Sequence, residues 1–227
     1  MALILCVETS SKNCSVAISE DGVVKFKKEK CEESYCHGEQ LHTLIEDLIF
    51  DAKISLLQID AFAFSVGPGS YTGLRIGASA VKGLGVALNK EIILVSTLQS
   101  MCWGLVNQGN DYDIDESSYF CSTLDSRQGE VYASIYEFSG REVVAPFACE
   151  VKKTLFSDIL KKNKICFFGP GLYKLQSVIN NQNASFLEGF YPSSSHLGLL
   201  AEKSYKQKKF ADIAYFEPMY LKDFVTH

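Results

Sequence analysis

The sequence predicts an α/β protein made of two halves, each with a mixed sheet and packed helices. In the first half, three antiparallel strands precede alternating helices and strands, in the order βββαβαβ. That order is typical of a ribonuclease-H-like half. After a polar stretch at 108–118, strands begin again and repeat the pattern in abbreviated form. The chain therefore has the pattern of a weak structural duplication.

The elements follow from hydrophobic spacing and turn residues. Glu20-Asp21-Gly22 suits a hairpin turn, and His37–Ala52 is a helix with one apolar face. The predicted strands are 3–7, 14–19, 23–29, 61–66, 92–95, 119–124, 130–138, 143–151 and 165–168. We expect an N-terminal domain over 1–106, with the tail at about 209–227 packing back on it. The smaller domain covers 107–208 and ends in a helix at about 194–208.

The central stretch 62–88 is a strand, a tight turn and a long helix. Gly67-Pro68-Gly69 forms the turn, and Ser70 or Thr72 can cap the helix. Glycines inside a helix cost about 1 kcal/mol each relative to alanine, so close approach of another backbone should offset them. Packing within the subunit and contact with a partner both fit this stretch.

The two apolar faces of that helix differ in side-chain size. Leu74, Val81 and Leu88 are large and should lie on the subunit's own core. A small face of Gly73, Gly77 and Ala80 would let a partner helix approach closely, beside the exposed part of the 37–52 helix. The reverse assignment of the faces stays open.

The glycine turn does not match the known phosphate loops. A Walker loop needs Gly-Lys-Ser/Thr after four residues, but Thr72 stands where its second glycine belongs and no lysine follows. The third glycine of a dinucleotide-binding turn is missing at the same residue. We therefore expect no tightly bound cofactor.

Composition excludes several classes of function. The 227 residues carry a net charge of -5, which disfavours direct binding to nucleic acid. No stretch resembles a signal peptide or a membrane span. The eight cysteines contain no C-x-x-C pair and fit a reduced, cytoplasmic protein. His37 and His42 are five residues apart, a poor spacing for a shared metal ion, so we predict no metal site.

Three local clusters contain residue types that could take part in chemistry. Glu8 ends the first strand, but no glycine follows it, so Thr9 to Ser11 should hydrogen-bond within their own turn. Asp125, Arg127 and Glu130 surround a hairpin and form either a local ion-pair group or a contact surface. Residues 217–222 dock against the core or meet a partner. No arrangement of nucleophile and base can be proposed from these residues, so no catalytic residue is predicted.

Five segments closely resemble the TsaB (YeaZ) family. In chain order they are LCVETS with CSVAI, SVGPGSYTGLRIG with KGL, VSTL, DSRQGEVY and EPMYL. GPGSYTGLRIG is highly specific. Glu8 stands where the family often has aspartate, Ser126 replaces an alanine, and Lys222 replaces an arginine of the terminal motif. Residues 139–200 carry little of the resemblance.

This resemblance implies an actin/Hsp70-like fold of two ribonuclease-H-like halves. It also implies a non-catalytic subunit of the bacterial machinery that makes N6-threonylcarbamoyladenosine at position 37 of tRNA. The catalytic partner would be TsaD, with the ATPase TsaE joining the assembly, a homodimer forming when the chain is alone, and tRNA bound only through the complex. Whether a nucleotide binds at the interface with TsaD stays open.

The resemblance and the residues together assign three sets of site residues. The expected partner interface comprises His37, Leu41, Leu44, Gly73, Arg75, Gly77, Ala80 and Leu84. The family-motif loop comprises Glu8, Thr9, Gly67, Gly69, Ser70 and Thr72. The contact cluster is Asp125, Arg127 and Glu130. The alternative function is a stand-alone nucleotide hydrolase or a glycoprotease-like peptidase.

Overall fold

The computed structural model describes residues 2–31, 37–107 and 115–222. The chain divides into two compact units. The first comprises residues 1–100 and 192–219, and the second comprises residues 101–191 and 220–227. The predicted residues 108–114 of the polar stretch and 223–227 of the tail lie outside the described residues.

The first unit is built on a five-stranded mixed sheet. Its strands are β1 (Leu3–Glu8), β2 (Asn13–Glu20), β3 (Val23–Cys31), β4 (Ala61–Gly67) and β5 (Glu91–Ser96), in the order β3-β2-β1-β4-β5. β1 runs antiparallel to β2 and parallel to β4. Asp21 and Gly22 have positive φ angles of 51° and 81°, as a tight two-residue hairpin turn requires.

Two helices cover one face of this sheet. They are α1 (His37–Ala52) and α2 (Tyr71–Leu88). Ser70 caps α2, since its Oγ accepts a hydrogen bond from the N–H of Gly73 at 3.2 Å. Leu74 and Val81 are fully buried in the core beneath α2, whereas Leu88 is only partly buried. The large face of α2 therefore lies on the subunit's own core, as predicted.

The chain returns to the first unit at residue 192, which differs from the predicted boundary. After α3 (Thr97–Asn107) and the second unit, a short 3₁₀ turn, Ser194–His196, leads into α6 (Gly198–Lys206). Leu197 and Ala201 are buried against Ile4 and Ala63 of the first sheet. Periodicity identified an apolar helix face but could not say which sheet it covers. The following segment also docks here, because the N–H of Ala211 donates to the carbonyl of Ile92 at 2.8 Å.

The second unit repeats the topology of the first. Its strands are β6 (Tyr119–Asp125), β7 (Glu130–Tyr136), β8 (Glu142–Glu150), β9 (Ile165–Phe168) and β10 (Ala184–Leu187), in the order β10-β9-β6-β7-β8. β6 runs antiparallel to β7 and parallel to β9, as β1 does to β2 and β4. Its short helices are α4 (Ser157–Leu160) and α5 (Leu172–Gln176). The sequence did not predict β10. Within the described residues, no helix combines the length and apolarity needed to cross a bilayer.

Candidate functional site

The family-motif loop brings two distant segments into close contact. The N–H of Ser70 donates to the carbonyl of Ser10 at 2.7 Å. A side chain on Gly69 would place its Cβ 2.4 Å from the same oxygen, and one on Gly73 would lie 2.1 Å from the carbonyl of Thr9. Such distances leave no room between the two backbones. The turn after β1 is therefore filled by the chain's own start of α2.

Glu8 points into this filled turn. It is fully buried, and its Oε1 accepts a hydrogen bond from the N–H of Ser10 at 2.6 Å. Burial raises the pKa of its carboxyl, while bonds from Ser10 and Ser65 oppose that shift. The turn also contains the bond from the N–H of Asn13 to Ser11 Oγ. The Glu8 carboxylate therefore accepts a hydrogen bond within its own turn. Among the described residues, no group of three or more His, Cys, Asp or Glu side chains is placed to hold a metal ion.

The expected outward small face of α2 is wrong for two of its members. Gly73 and Gly77 are buried, and both face the motif loop. A Cβ on Gly77 would lie 2.4 Å from Thr9 Oγ1 and 2.6 Å from the Phe64 ring. The small residues allow close approach, but to the chain's own first turn and to β4. Neither glycine can be a partner contact.

Two predicted interface residues of α1 are internal for a related reason. His37 is 1% exposed, and its Nε2 lies 2.7 Å from the carbonyl oxygen of Ser11. Burial lowers the pKa of this imidazole, although the bond to Ser11 opposes the shift. Leu41 is fully buried in the core, and Leu44 is partly buried against it. The start of α1 is therefore tied to the motif loop.

The exposed surface of α1 and α2 contains a groove of about 660 Å³. Of the predicted interface residues, Arg75, Ala80 and Leu84 line it. Thr72, which the sequence analysis assigned to the motif loop, lines this groove instead. Sequence reasoning missed further members of the lining, although those on α2 belong to one helix face with a spacing of three and four residues. They are His42, Tyr71, Ile76, Ser79 and Gly83.

The groove has a cation–π contact at one end, and much of the rest of its lining is apolar. The Arg75 guanidinium lies over the Tyr71 ring, 4.1 Å from its centroid. Ile76 and Leu84 are only partly buried, and a Cβ on Gly83 would meet nothing within 4 Å. In their last turns, the two helices also expose Phe50 by 81% and Val86 by 69%. Exposed apolar area of this kind is typical of a surface that a partner covers.

The second candidate surface is the hairpin between β6 and β7. Two of its three predicted residues pair with lysines from other segments. Lys174 Nζ lies 2.5 Å from Asp125 Oδ1, and Lys222 Nζ lies 2.5 Å from Glu130 Oε1. Arg127 stands exposed between the two pairs. Nothing in the sequence near the hairpin could have identified Lys174, which is 44 to 49 residues away from its partners there.

The terminal segment docks on the core of the first unit. The N–H of Met219 donates to the carbonyl of Val66 at 2.7 Å, beside the motif loop. Phe216 is buried and packs 6.4 Å from Phe64, measured between ring centroids. Lys82 Nζ lies over the Phe216 ring at 4.4 Å. For residues 216–219, docking against the core is therefore what the structure contains.

Comparison with known proteins finds a family model and relatives that match most of this chain. A family model for TsaD, tRNA N6-adenosine threonylcarbamoyltransferase, matches residues 32–226. The TsaB of Haemophilus influenzae, a tRNA threonylcarbamoyladenosine biosynthesis protein, is 26% identical, with 98% of this chain and 94% of that protein aligned. The Escherichia coli TsaB is 33% identical over 134 residues, which cover 59% of this chain and 54% of that protein.

The fold matches a solved structure over nearly its whole length. This is an uncharacterized Pseudomonas aeruginosa protein with similarity to the peptidase YeaZ. Its TM-score is 0.83 at 22% identity, with 98% of this chain and 100% of that chain covered. The fold is thus the actin/Hsp70-like arrangement of two ribonuclease-H-like halves. The chain belongs to the family of the tRNA N6-adenosine threonylcarbamoyltransferase TsaD, and its relatives place it in the TsaB (YeaZ) branch of that family.

Proposed function

We propose that this chain acts in the formation of N6-threonylcarbamoyladenosine in tRNA, as a non-catalytic subunit that binds a TsaD-type catalytic subunit. The filled motif loop is the observation that supports a non-catalytic role. In a phosphate-binding half of this topology, the turn after the first strand must leave room for a ligand. Here the carbonyls of Thr9 and Ser10 face the backbone of α2 instead. The names of the relatives support the pathway.

The groove on α1 and α2 is the proposed site of the TsaD-type subunit. Its apolar members offer area that gains free energy when removed from water, at about 25 cal/mol per Å². Gly83 supports a helix as the occupant. It costs its own helix about 1 kcal/mol relative to alanine. Among the described residues, nothing outside its helix would lie within 4 Å of a Cβ at this position. A partner helix crossing there would use the missing side chain. A second copy of the chain would take the same place when the partner is absent.

The hairpin with Asp125, Arg127 and Glu130 is proposed as a second contact with the assembly, in which a TsaE-type ATPase also takes part. Direct binding to tRNA is not proposed, because the net charge of -5 repels a phosphate backbone. tRNA would be held by the complex. No nucleotide is assigned to this chain alone, and a nucleotide at the interface with the partner is left to experiment.

The competing function is hydrolysis of a nucleotide or a peptide by this chain alone. The YeaZ-like neighbour is described as similar to a peptidase. Against this alternative, two of the four histidines, His37 and His196, are buried, at 1% and 8% exposure. Cys6, Cys102 and Cys121 are buried as well, and burial raises the pKa of each thiol, which disfavours the reactive thiolate.

Turnover by the purified chain tests the proposal. ATP hydrolysis and peptide hydrolysis should both stay at the buffer rate over the chain's full range of concentration. Adding the TsaD-type and TsaE-type subunits should produce turnover that requires all the components. Robust hydrolysis or threonylcarbamoyl transfer by this chain alone would overturn the non-catalytic role.

A further inference from the structure

The hairpin between β6 and β7 is fixed by an ammonium group at its centre. Lys174 Nζ lies 2.5 Å from Asp125 Oδ1 and 2.9 Å from each of the carbonyl oxygens of Arg127 and Glu130. The carbonyl of Ser126 is 3.4 Å away. Four oxygens of one turn thus converge on a single cation, as they do around a bound metal ion. The Lys174 side chain is only 12% exposed.

Two further side chains from distant segments hold the same turn. Tyr173 donates from its hydroxyl to Asp125 Oδ1 at 3.1 Å. Lys222, 92 residues from Glu130 in sequence, donates to that carboxylate at 2.5 Å. Yet the turn is already closed by its own backbone, because the N–H of Glu130 donates to the carbonyl of Arg127 at 2.9 Å. A hairpin needs no more than that to reverse its direction.

The additional bonds have a consequence for the exposed residues. With the carbonyls of 126, 127 and 130 directed at Lys174, the backbone at the tip has few alternative conformations. Arg127 and Gln128 are exposed at that tip. A surface fixed before binding loses less conformational entropy on association than a mobile one. The extra bonds are therefore explained by a turn that must present Arg127 in one position.

We propose that Lys174 is a positioning residue, whose ammonium group holds the 125–130 turn in the shape that presents Arg127 to the TsaD-type complex. This inference rests on the proposed function, in which Arg127 is a contact. Lys174 itself is mostly covered and acts through the turn. Methionine has a similar length and no charge, so Lys174→Met removes the cation while keeping most of the packing volume.

A double-mutant cycle tests the inference on the full-length chain. The dissociation constant for the TsaD-type subunit is measured for wild type, Arg127→Ala, Lys174→Met and the double variant. Each single variant should weaken binding about tenfold, and the double variant should bind as weakly as Arg127→Ala alone. Lys161→Met is the matched control in the same unit, since Lys161 pairs with Asp158 at 2.7 Å on an exposed surface. It should leave binding unchanged.

Additive losses in the double variant would overturn the inference, because Lys174 would then act independently of Arg127. Unchanged binding in Lys174→Met would overturn it as well. Should that variant unfold, Tyr173→Phe removes one bond to Asp125 and should weaken binding two- to threefold, with no further loss in the Arg127→Ala background. Gly83→Leu in the groove separates the two ideas: if it abolishes binding while the hairpin variants bind normally, the proposed function stands and this inference fails.

Discussion

The turn after β1 and the turn after β6 hold equivalent places in the two units but differ in their surroundings. Both join the first strand of a sheet to its antiparallel neighbour. The β1 turn is buried and filled by α2, with the carbonyls of Thr9 and Ser10 against backbone. The β6 turn is exposed and is held by Lys174 and Lys222. In a duplicated fold, one turn has become part of the core and the other has become a surface.

The difference concerns what each turn exposes. The first turn is buried against the backbone of α2, whereas the carboxylates of the second turn pair with lysines at the surface. The surfaces proposed above for binding are the groove on α1 and α2 in the first unit and the hairpin tip in the second.

The largest expected effect comes from closing the space that the first turn occupies. Gly73→Ala would put a Cβ 2.1 Å from the Thr9 carbonyl, and the buried backbone there cannot yield easily. We expect a loss of about 3 kcal/mol or more in the free energy of unfolding, at the upper end for overpacked sites. Urea denaturation measures it. A loss below about 1 kcal/mol would mean that the β1 turn is not tightly packed against α2. The proposed difference between the two turns would then be absent.

Acid should affect the first unit through His196. Burial, with a smaller contribution from Lys27, lowers the pKa of His196 to about 4 from 6.5, while Glu29 opposes the shift. The unfolded chain takes up this proton as pH falls through 6.5, whereas the folded chain resists until about pH 4. Stability is therefore complete above pH 6.5 and is lost between pH 6.5 and 4, by about 3 kcal/mol in total at 1.36 kcal/mol per pKa unit.

Unfolding free energies at several pH values between 4 and 7.5, for wild type and His196→Gln, isolate this contribution. The difference between the two proteins should shrink or reverse toward pH 4. Parallel curves would show that His196 titrates in the fold as it does in the unfolded chain.

A substitution in the groove should weaken association with the partner and should not destabilise the folded chain. Within the described residues, Gly83→Leu adds a side chain where nothing approaches within 4 Å, so the monomer should melt no lower than before. If a partner helix crosses there, overpacking should cost binding about 1–3 kcal/mol, or roughly 5- to 150-fold in the dissociation constant. Analytical ultracentrifugation with the TsaD-type subunit measures the loss. Unchanged affinity would place the partner elsewhere.

A smaller effect has the opposite sign to that of Gly73. Gly83→Ala should stabilise the chain by about 1 kcal/mol, because alanine is the better helix former and the site is open. The melting temperature should rise by roughly 2–4 °C. Ala87→Gly, at an exposed position of the same helix outside the groove, should produce the reverse change. A destabilised Gly83→Ala would reveal an internal role for that glycine.

The second turn should be nearly neutral for stability. Arg127→Ala is expected to reduce complex function while the melting temperature changes by less than about 2 °C, because exposed ion pairs contribute about 0–1 kcal/mol. Differential scanning calorimetry beside the transfer assay checks both quantities. An equal loss of stability would identify the cluster as a structural hairpin only.

Local patterns predicted most of the fold and little of the site. The bounds of α1 match the prediction, and most strands differ by one or two residues, because periodicity and turn residues are local signals. The orientation of the small face of α2 was wrong because Thr9 and Phe64, which fill its space, come from other segments. Small residues indicate that something approaches closely, but they do not say what.

The remaining misses have the same physical origin. α6 was assigned to the wrong half because an apolar stripe fits either sheet. Lys174 was overlooked because its partners lie 44 to 49 residues away in sequence, and lysines are ordinarily solvated. The four-residue strand β10 is too short for a period of two to stand out.

The role proposed for this chain is to contribute binding and not chemistry. The most direct test is the rate of threonylcarbamoyl transfer to tRNA by a fixed amount of the TsaD-type subunit, measured against the concentration of this chain. We expect a saturating rise from a low basal rate. With Gly83→Leu, the midpoint should shift at least about fivefold to higher concentration and the plateau should stay the same. A lowered plateau with an unshifted midpoint, or transfer by this chain without the partner, would contradict it.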